Sequence, residues 1–240
     1  PHVIKDSGVY YMFYGDWNNI CSARSEDGKN FKRVLNADDR PQIFMGRKNQ
    51  NTRDPMTIKI GDTYYCYYCN HESVVWCRTS KDLRTWSDRI AVTIDYGDHW
   101  GAAECPHVVY RPDLGLYYLF RNHMPYPHQN VLSNTQYAST DPLDFKEDQK
   151  ISALDLDAPE IIYHDRQYYI AAVNDDDYSI RIAKLDWGDL NSAPEAQNKA
   201  FSIPEDSQDG TPVGKVEAGD PDNDALTYTI TGGNDGDAFT

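Results

Sequence analysis

RDPMTIKIGDTYYCYYC, residues 53–69, is the stretch from which the fold is read. Ile58 and Ile60 before the turn pair Gly61-Asp62, and Tyr65 and Tyr68 after it, make two short runs of strand-forming residues around a tight reversal. That is how a β-hairpin looks in sequence. Pro55 has no N–H to give to a ladder, so it is expected at the first position of its strand. Asp54 then falls just outside the sheet, on an end that a ligand can reach.

The same pattern is written four times, as PHVIKDSGVYYMFY from Pro1, PMTIKIGDTYYCYY from Pro55, PHVVYRPDLGLYYLF from Pro106 and PEIIYHDRQYYIAA from Pro159. The starts lie 51 to 54 residues apart, and each unit has a later partner: ICSARSEDGKNF, VVWCRTSKDLRTW, TQYASTDPLDF and SIRIAKLDW. A period of about fifty residues with about four strands per unit predicts an all-β propeller, one blade per repeat. An antiparallel sandwich with chance Tyr-Tyr pairs is the competing reading, and four matches in one register count against it. Residues 36–52, polar and irregular, read as a crossover between blades.

Composition narrows the partners. The chain has 240 residues, 40% of them hydrophobic, with 18 tyrosines and a formal charge of −15. Nucleic acid and anionic membranes both need basic surface, so neither is expected as a partner. No apolar run is long enough to insert in a bilayer. Neutral sugars meet no electrostatic penalty, although solubility alone explains the charge equally well. Of the five cysteines, Cys66 and Cys69 have a zinc-like spacing, but on a strand they fall on opposite faces and no second pair completes a tetrahedral site. They read as buried small hydrophobes, with a disulfide from either to Cys77 left open.

The chemistry is expected at two acids. Asp54 and Glu104 stand just before Pro55 and Pro106, at nearly the same offset in neighbouring repeats. The innermost strands of a propeller run the same way, so these carboxylates are expected to converge on a central funnel. Glycosidic bond cleavage needs such a pair, one ionised beside the anomeric carbon and one protonated to supply the leaving oxygen. Arg53 is expected to hold Asp54 ionised and to fork onto sugar hydroxyls. Apolar neighbours of Glu104 (Trp100, Ala102, Ala103, Cys105) are expected to raise its pKa toward the acid role. Capping of strand ends is the structural alternative for both. Candidate substrate contacts lie around them: Asp16 and Trp17 in the first loop, His71, Asn122, His123 and Asp175 after second strands, and His107 and Glu160 just behind their prolines. A histidine satisfied by backbone is the competing reading of His107.

The blocks RDP (53–55) and ECP (104–106), in that order and about one blade apart, resemble the second and third signature blocks of the clan of five-bladed propeller glycosidases. Families 32 and 68, fructosyl hydrolases and transferases, and family 43, arabinan- and xylan-acting enzymes, belong to it. The Tyr-Tyr hairpins resemble that clan's blades throughout residues 1–187. The resemblance implies that Asp54 stabilises an oxocarbenium-like transition state, that Glu104 is the general acid and that Arg53 grips sugar hydroxyls, with no cofactor required for catalysis. The clan's first acid, in its first blade, has no match here. Four units stand where five are expected, so this chain alone is expected to be inactive.

Pro1 already lies inside a hairpin pattern, and the chain reads as cut from something longer, with any signal peptide outside it. After residue 187 the pattern dissolves into a linker, residues 188–200. VGKVEAGDPDNDALTYTITGGN, within residues 201–240, resembles the opening half of a bacterial cadherin-like repeat. In that family acidic residues help bind calcium, which makes Asp220, Asp222 and Asp224 candidate Ca2+ ligands; an ordinary Asp/Asn-rich turn is the plainer reading. Together the two resemblances imply a secreted or cell-surface protein, tethered to a surface or polysaccharide by repeats of this kind. A non-catalytic carbohydrate-binding propeller of an adhesive protein is the alternative.

Overall fold

The computed structural model describes residues 1–15, 18–45, 51–72, 74–94, 103–123, 133–174, 177, 179–187, 194–220 and 225–232. They divide into two compact units, Pro1–Leu185 and Asp186–Thr240. The first unit is a four-blade propeller arrangement of antiparallel sheets, with no α-helix among the described residues.

Blade I consists of β1 (His2–Asp6), β2 (Val9–Gly15), β3 (Asn19–Ser25), β4 (Lys32–Val34) and β5 (Gln42–Met45). Blade II is β6 (Thr52–Ile60), β7 (Thr63–Asn70), β8 (Val74–Ser80) and β9 (Ile90–Ile94). Blade III is β10 (Ala103–Arg111), β11 (Leu116–His123), β12 (Ser133–Ser139) and β13 (Lys150–Leu154), with a single 3₁₀ turn at Glu147–Gln149. Blade IV is β14 (Asp157–His164), β15 (Gln167–Val173) and β16 (Ile180–Leu185). Within each blade the strands pair in chain order, except that β5 returns to pair with β3. The segment read as an irregular crossover therefore contains a strand. Its polar composition hides it, because β5 borrows its ladder from a strand that is not its neighbour in sequence.

The first hairpin of each blade forms where the alternation predicts. The turns of blades I and IV have two successive left-handed residues, Ser7-Gly8 (φ 49° and 84°) and Asp165-Arg166 (φ 47° and 62°). Such pairs match the twist of the strands they join.

One feature of the innermost strands departs from expectation. Asp54, Cys105 and Ala158, each directly before a blade proline, are left-handed at φ 53°, 50° and 48°. At each the ladder skips: Arg53 pairs Cys69 and then Met56 pairs Tyr67; Glu104 pairs Asn122 and then His107 pairs Phe120; Asp157 pairs Val173 and then Glu160 pairs Ala171. Each proline thus sits in a β-bulge, where its missing N–H costs no ladder bond. The strand already runs before it, so Pro55 is not a first residue and Asp54 is not outside the sheet. The true equivalents are Asp54, Cys105 and Ala158 at one position, and Arg53, Glu104 and Asp157 at the other.

The core lies between blades. Phe13, Ile20, Ile43 and Phe44 of blade I close over Tyr64, Cys66 and Tyr68 of blade II. On the other side of blade II, Met56, Tyr67, Val75 and Cys77 meet Val108, Leu119, Tyr137 and Phe145 of blade III. Cys66 and Cys77 therefore face different interfaces, and all five cysteines are free thiols. Tyr67 donates to the Pro142 carbonyl across the second interface at 2.8 Å, and Phe145 N–H to Val92 O at 2.8 Å.

The second unit has a two-stranded ladder of β17 (Glu195–Ala196) with β18 (Ala218–Gly219). Lys199 and Glu217 pair beside it at 2.6 Å.

Candidate active site

Blade repetition and the bulge together set the site. β6 and β10 lie side by side as innermost strands. Gly15, the last residue of β2, lets blade I approach the start of β6, since a Cβ there would meet Thr52 O at 3.1 Å and Arg53 Cα at 3.3 Å. From that position the Arg53 guanidinium donates from Nη2 directly to Glu104 Oε1 in the next blade. Its Nε lies 3.5 Å from Asp54 Oδ2. The three side chains are 18%, 22% and 28% exposed for Arg53, Glu104 and Asp54, so the cluster is sheltered yet open to a solute. Arg53 Nη1 is buried with no partner among the described residues.

Asp54 is fixed on one oxygen. Cys69, from the second strand of its own blade, donates its thiol to Asp54 Oδ2 at 3.1 Å, and the Cys105 N–H reaches the same oxygen at 3.3 Å. Burial pushes both thiols well above their ordinary pKa, with the Asp54 charge adding, so they act as neutral donors. Burial also raises the Glu104 carboxyl above the ordinary glutamate value; the Arg53 charge opposes this, and Asp54 and Asp157 reinforce it.

Asp157 escaped the sequence reading. It stands two residues before Pro159, as Glu104 does before Pro106, while the sequence reading singles out Glu160 three residues further on. Asn122, read as a loop residue, is in β11 opposite Glu104 and is 2% exposed. Its Nδ2 donates to Asp157 Oδ1, and its Oδ1 accepts from Ala158 N–H at 3.0 Å and Asn134 Nδ2 at 3.2 Å. His123, also in β11 and not in a loop, is the next residue along and pairs with Ala103.

His71 follows β7, and its Nε2 accepts the Asn51 N–H at 3.3 Å, tying the chain just before β6. Of the remaining candidates, His107 and Glu160 come together, with His2 beside them. His2 and His107, from blades I and III, lie 5.7 Å apart edge to face, and Glu160 Oε2 of blade IV is 3.6 Å from His107 Nδ1. Donor atoms of the three fall within 4.8 Å of one another, close enough for a cation. The hydrogen bonds argue against one: Thr57 N–H is donated to His2 Nδ1 at 3.3 Å and Ile161 N–H to His107 Nε2 at 3.2 Å. A neutral ring accepting on one nitrogen carries its proton on the other, which leaves no lone pair for a metal. His107 is therefore satisfied by backbone of the next blade. Asp16, Trp17, Asp175, Trp100, Ala102, Asp222 and Asp224 lie outside the described residues. Asp220 is described, directly after β18.

No protein-family model matches the chain, and no curated protein matches it. Solved structures do. An endo-arabinase from Bacteroides thetaiotaomicron superposes with a TM-score of 0.62 at 14% identity, covering 78% of this chain and 74% of its own. A family GH43 α-L-arabinofuranosidase from Clostridium thermocellum gives 0.59 at 15%, covering 79% and 68%. A Bombyx mori family GH32 β-fructofuranosidase gives 0.55 at 18%, covering 71% and 41%. The fold is the one these glycosidases share. The present chain spans about two-fifths of the Bombyx mori enzyme.

Proposed function

We propose that the protein is a glycoside hydrolase acting on poly- or oligosaccharides of fructan, arabinan or xylan type. The observation that carries this is the Arg53 guanidinium set between Asp54 and Glu104, carboxylates of two adjacent blades, at a sheltered but open cluster. In this reading Glu104, favoured in its protonated form by burial, hands a proton to the leaving oxygen. Asp54, with Oδ2 held by Cys69 and Cys105, presents Oδ1 to the developing positive charge on the sugar. Arg53, whose side chain is part-exposed between Asp54 and Glu104, grips a sugar hydroxyl. Trp17, Asp16, His71, His123 and Asp175 are proposed as outer substrate contacts, and Glu160 as a further one.

The five-bladed reading is supported by blade IV, whose outward residues Ile162, Ile180 and Ile182 are 58%, 64% and 70% exposed, an apolar face suited to a further blade. The clan's first acid would come from outside these residues, so the 240-residue chain alone is expected not to turn over substrate. The cadherin-like reading of residues 201–240, calcium at Asp220, Asp222 and Asp224, and secretion with surface tethering belong to the same proposal.

One observation favours the alternative, a non-catalytic carbohydrate-binding propeller: Glu104 bonds directly to Arg53, which by itself favours the carboxylate. A hydrolysis screen of the full-length protein on fructans, arabinans, xylans and galactans separates the two. Turnover lost in Asp54→Asn and Glu104→Gln variants is expected. Binding without turnover in the wild type would establish the alternative.

A further inference from the structure

We infer that Asp157 is a third carboxylate of the funnel, an acceptor for sugar hydroxyls that makes the site select a neutral sugar over an acidic one. The inference rests on the glycosidase reading and deepens it. Three observations carry it.

The first is register. Arg53, Glu104 and Asp157 each stand two residues before the proline of the bulge in blades II, III and IV. The first two meet each other across the boundary between blades II and III. β10 and β14 lie side by side, so repetition of the blade brings Asp157 to the same well.

The second is the way it is held. Gln136 donates to Asn134 Oδ1 at 2.7 Å, Asn134 donates to Asn122 Oδ1 at 3.2 Å, and Asn122 donates to Asp157 Oδ1. Gln136, Asn134 and Asn122 are 3%, 0% and 2% exposed. Because Asn122 Oδ1 also takes the Ala158 N–H, its NH2 must face Asp157. Buried amides are costly unless each is satisfied, and this row spends its last donor on one oxygen of a half-buried carboxylate. The Asn122 bond fixes one oxygen and so holds the carboxylate in place. Asn122 is also the cross-strand partner of Glu104, so Asp157 is anchored beside the proposed acid.

The third is charge. Asp54 and Glu104 both lie against the Arg53 guanidinium, and Asp157 stands close enough to Glu104 to act on its carboxyl. A uronate or sulfated sugar would add a negative charge to a well already rich in carboxylates, whereas the hydroxyls of a neutral sugar are donors to them.

The test uses Asp157→Asn in two settings. In the 240-residue chain, the Glu104 carboxyl is titrated by carbon NMR, and the midpoint is expected to move down toward the ordinary glutamate value when Asp157 loses its charge. An unmoved midpoint would mean that Asp157 does not face Glu104 and would overturn the inference whether or not the protein is an enzyme. In the full-length protein, calorimetry with neutral arabino-, xylo- and fructo-oligosaccharides and with oligogalacturonate should show neutral binding weakened about 10- to 100-fold, the range for a hydrogen bond to a charged group. Oligogalacturonate should lose less or gain. Equal weakening for both classes, or a drop in melting temperature with unchanged preference, would make Asp157 merely structural. Absence of all sugar binding in the wild type, with the Glu104 midpoint still moving, would instead sink the glycosidase reading and the sugar role together.

Discussion

Asp54 and Cys105 occupy the same position of adjacent blades, and the N–H of Cys105 is donated across the blade boundary to Asp54 Oδ2 at 3.3 Å. Both are left-handed residues of a bulge closed by proline, so the backbone distortion that puts Asp54 in the well also aims a donor at it from the next blade. Strained backbone at a site of this kind persists only where the surroundings over-determine it.

Ala158 is the third residue of that set and has no functional side chain, which makes it a clean probe of the strain. A left-handed alanine costs on the order of 1–2 kcal/mol, partly offset in a glycine variant by its freer unfolded chain. Ala158→Gly is therefore expected to be neutral to about 1 kcal/mol more stable by urea unfolding. Clear destabilisation would mean that the left-handed conformation carries no strain there.

Cys69 tests how Asp54 is oriented. Its thiol is fully buried and held neutral, and it donates to Asp54 at 3.1 Å. In the full-length protein Cys69→Ala should lower kcat by about tenfold with little change in KM, the value of one hydrogen bond to a charged group. Cys69→Ser, which keeps a donor, should recover most of it. Equal loss in both variants would point to packing instead.

The buried pair His2 and His107 should give the fold a pH dependence of known sign. Burial brings His107 down to about 3 and His2 to about 4, from an ordinary value of 6.5. Below pH 6.5 the unfolded chain takes up protons that the folded rings refuse, so this contribution is intact above 6.5 and is lost progressively as pH falls toward 3. His107→Gln keeps an acceptor for the Ile161 N–H and removes one titration, so its stability curve should be flatter over that window. His107→Ala strands the N–H and should cost about 1–3 kcal/mol at neutral pH. A wild-type slope retained in His107→Gln would place the titration elsewhere.

Much of this fold was legible because its hairpins state themselves twice, by alternation and by turn residues such as Gly61-Asp62. The bulge was not, since Asp-Pro reads as a strand beginning; only the pairing of Thr52 and Arg53 with Asn70 and Cys69 shows that the strand has already started. That one-residue difference matters. It makes Glu104 the counterpart of Arg53, not of Asp54, and it points to Asp157 as the next member. Asn122 reads as a loop residue because the apolar run stops at Phe120, but β11 runs on to stay paired with the residues before the bulge of β10. Pairing of Arg53 with Glu104 depends on contact between blades, which no local pattern encodes.

Glu104→Gln in the full-length protein, compared on a natural oligosaccharide and on the matching p-nitrophenyl glycoside, tests the acid role most directly. The nitrophenolate leaves without a proton, so the account predicts hydrolysis of the oligosaccharide reduced by about 10²–10⁴-fold while the aryl glycoside is largely spared. The wild-type rate on the oligosaccharide should also fall on the alkaline side as Glu104 deprotonates, above the ordinary glutamate range. Equal loss on both substrates, or no loss on either, would contradict the assignment of Glu104 as the proton donor.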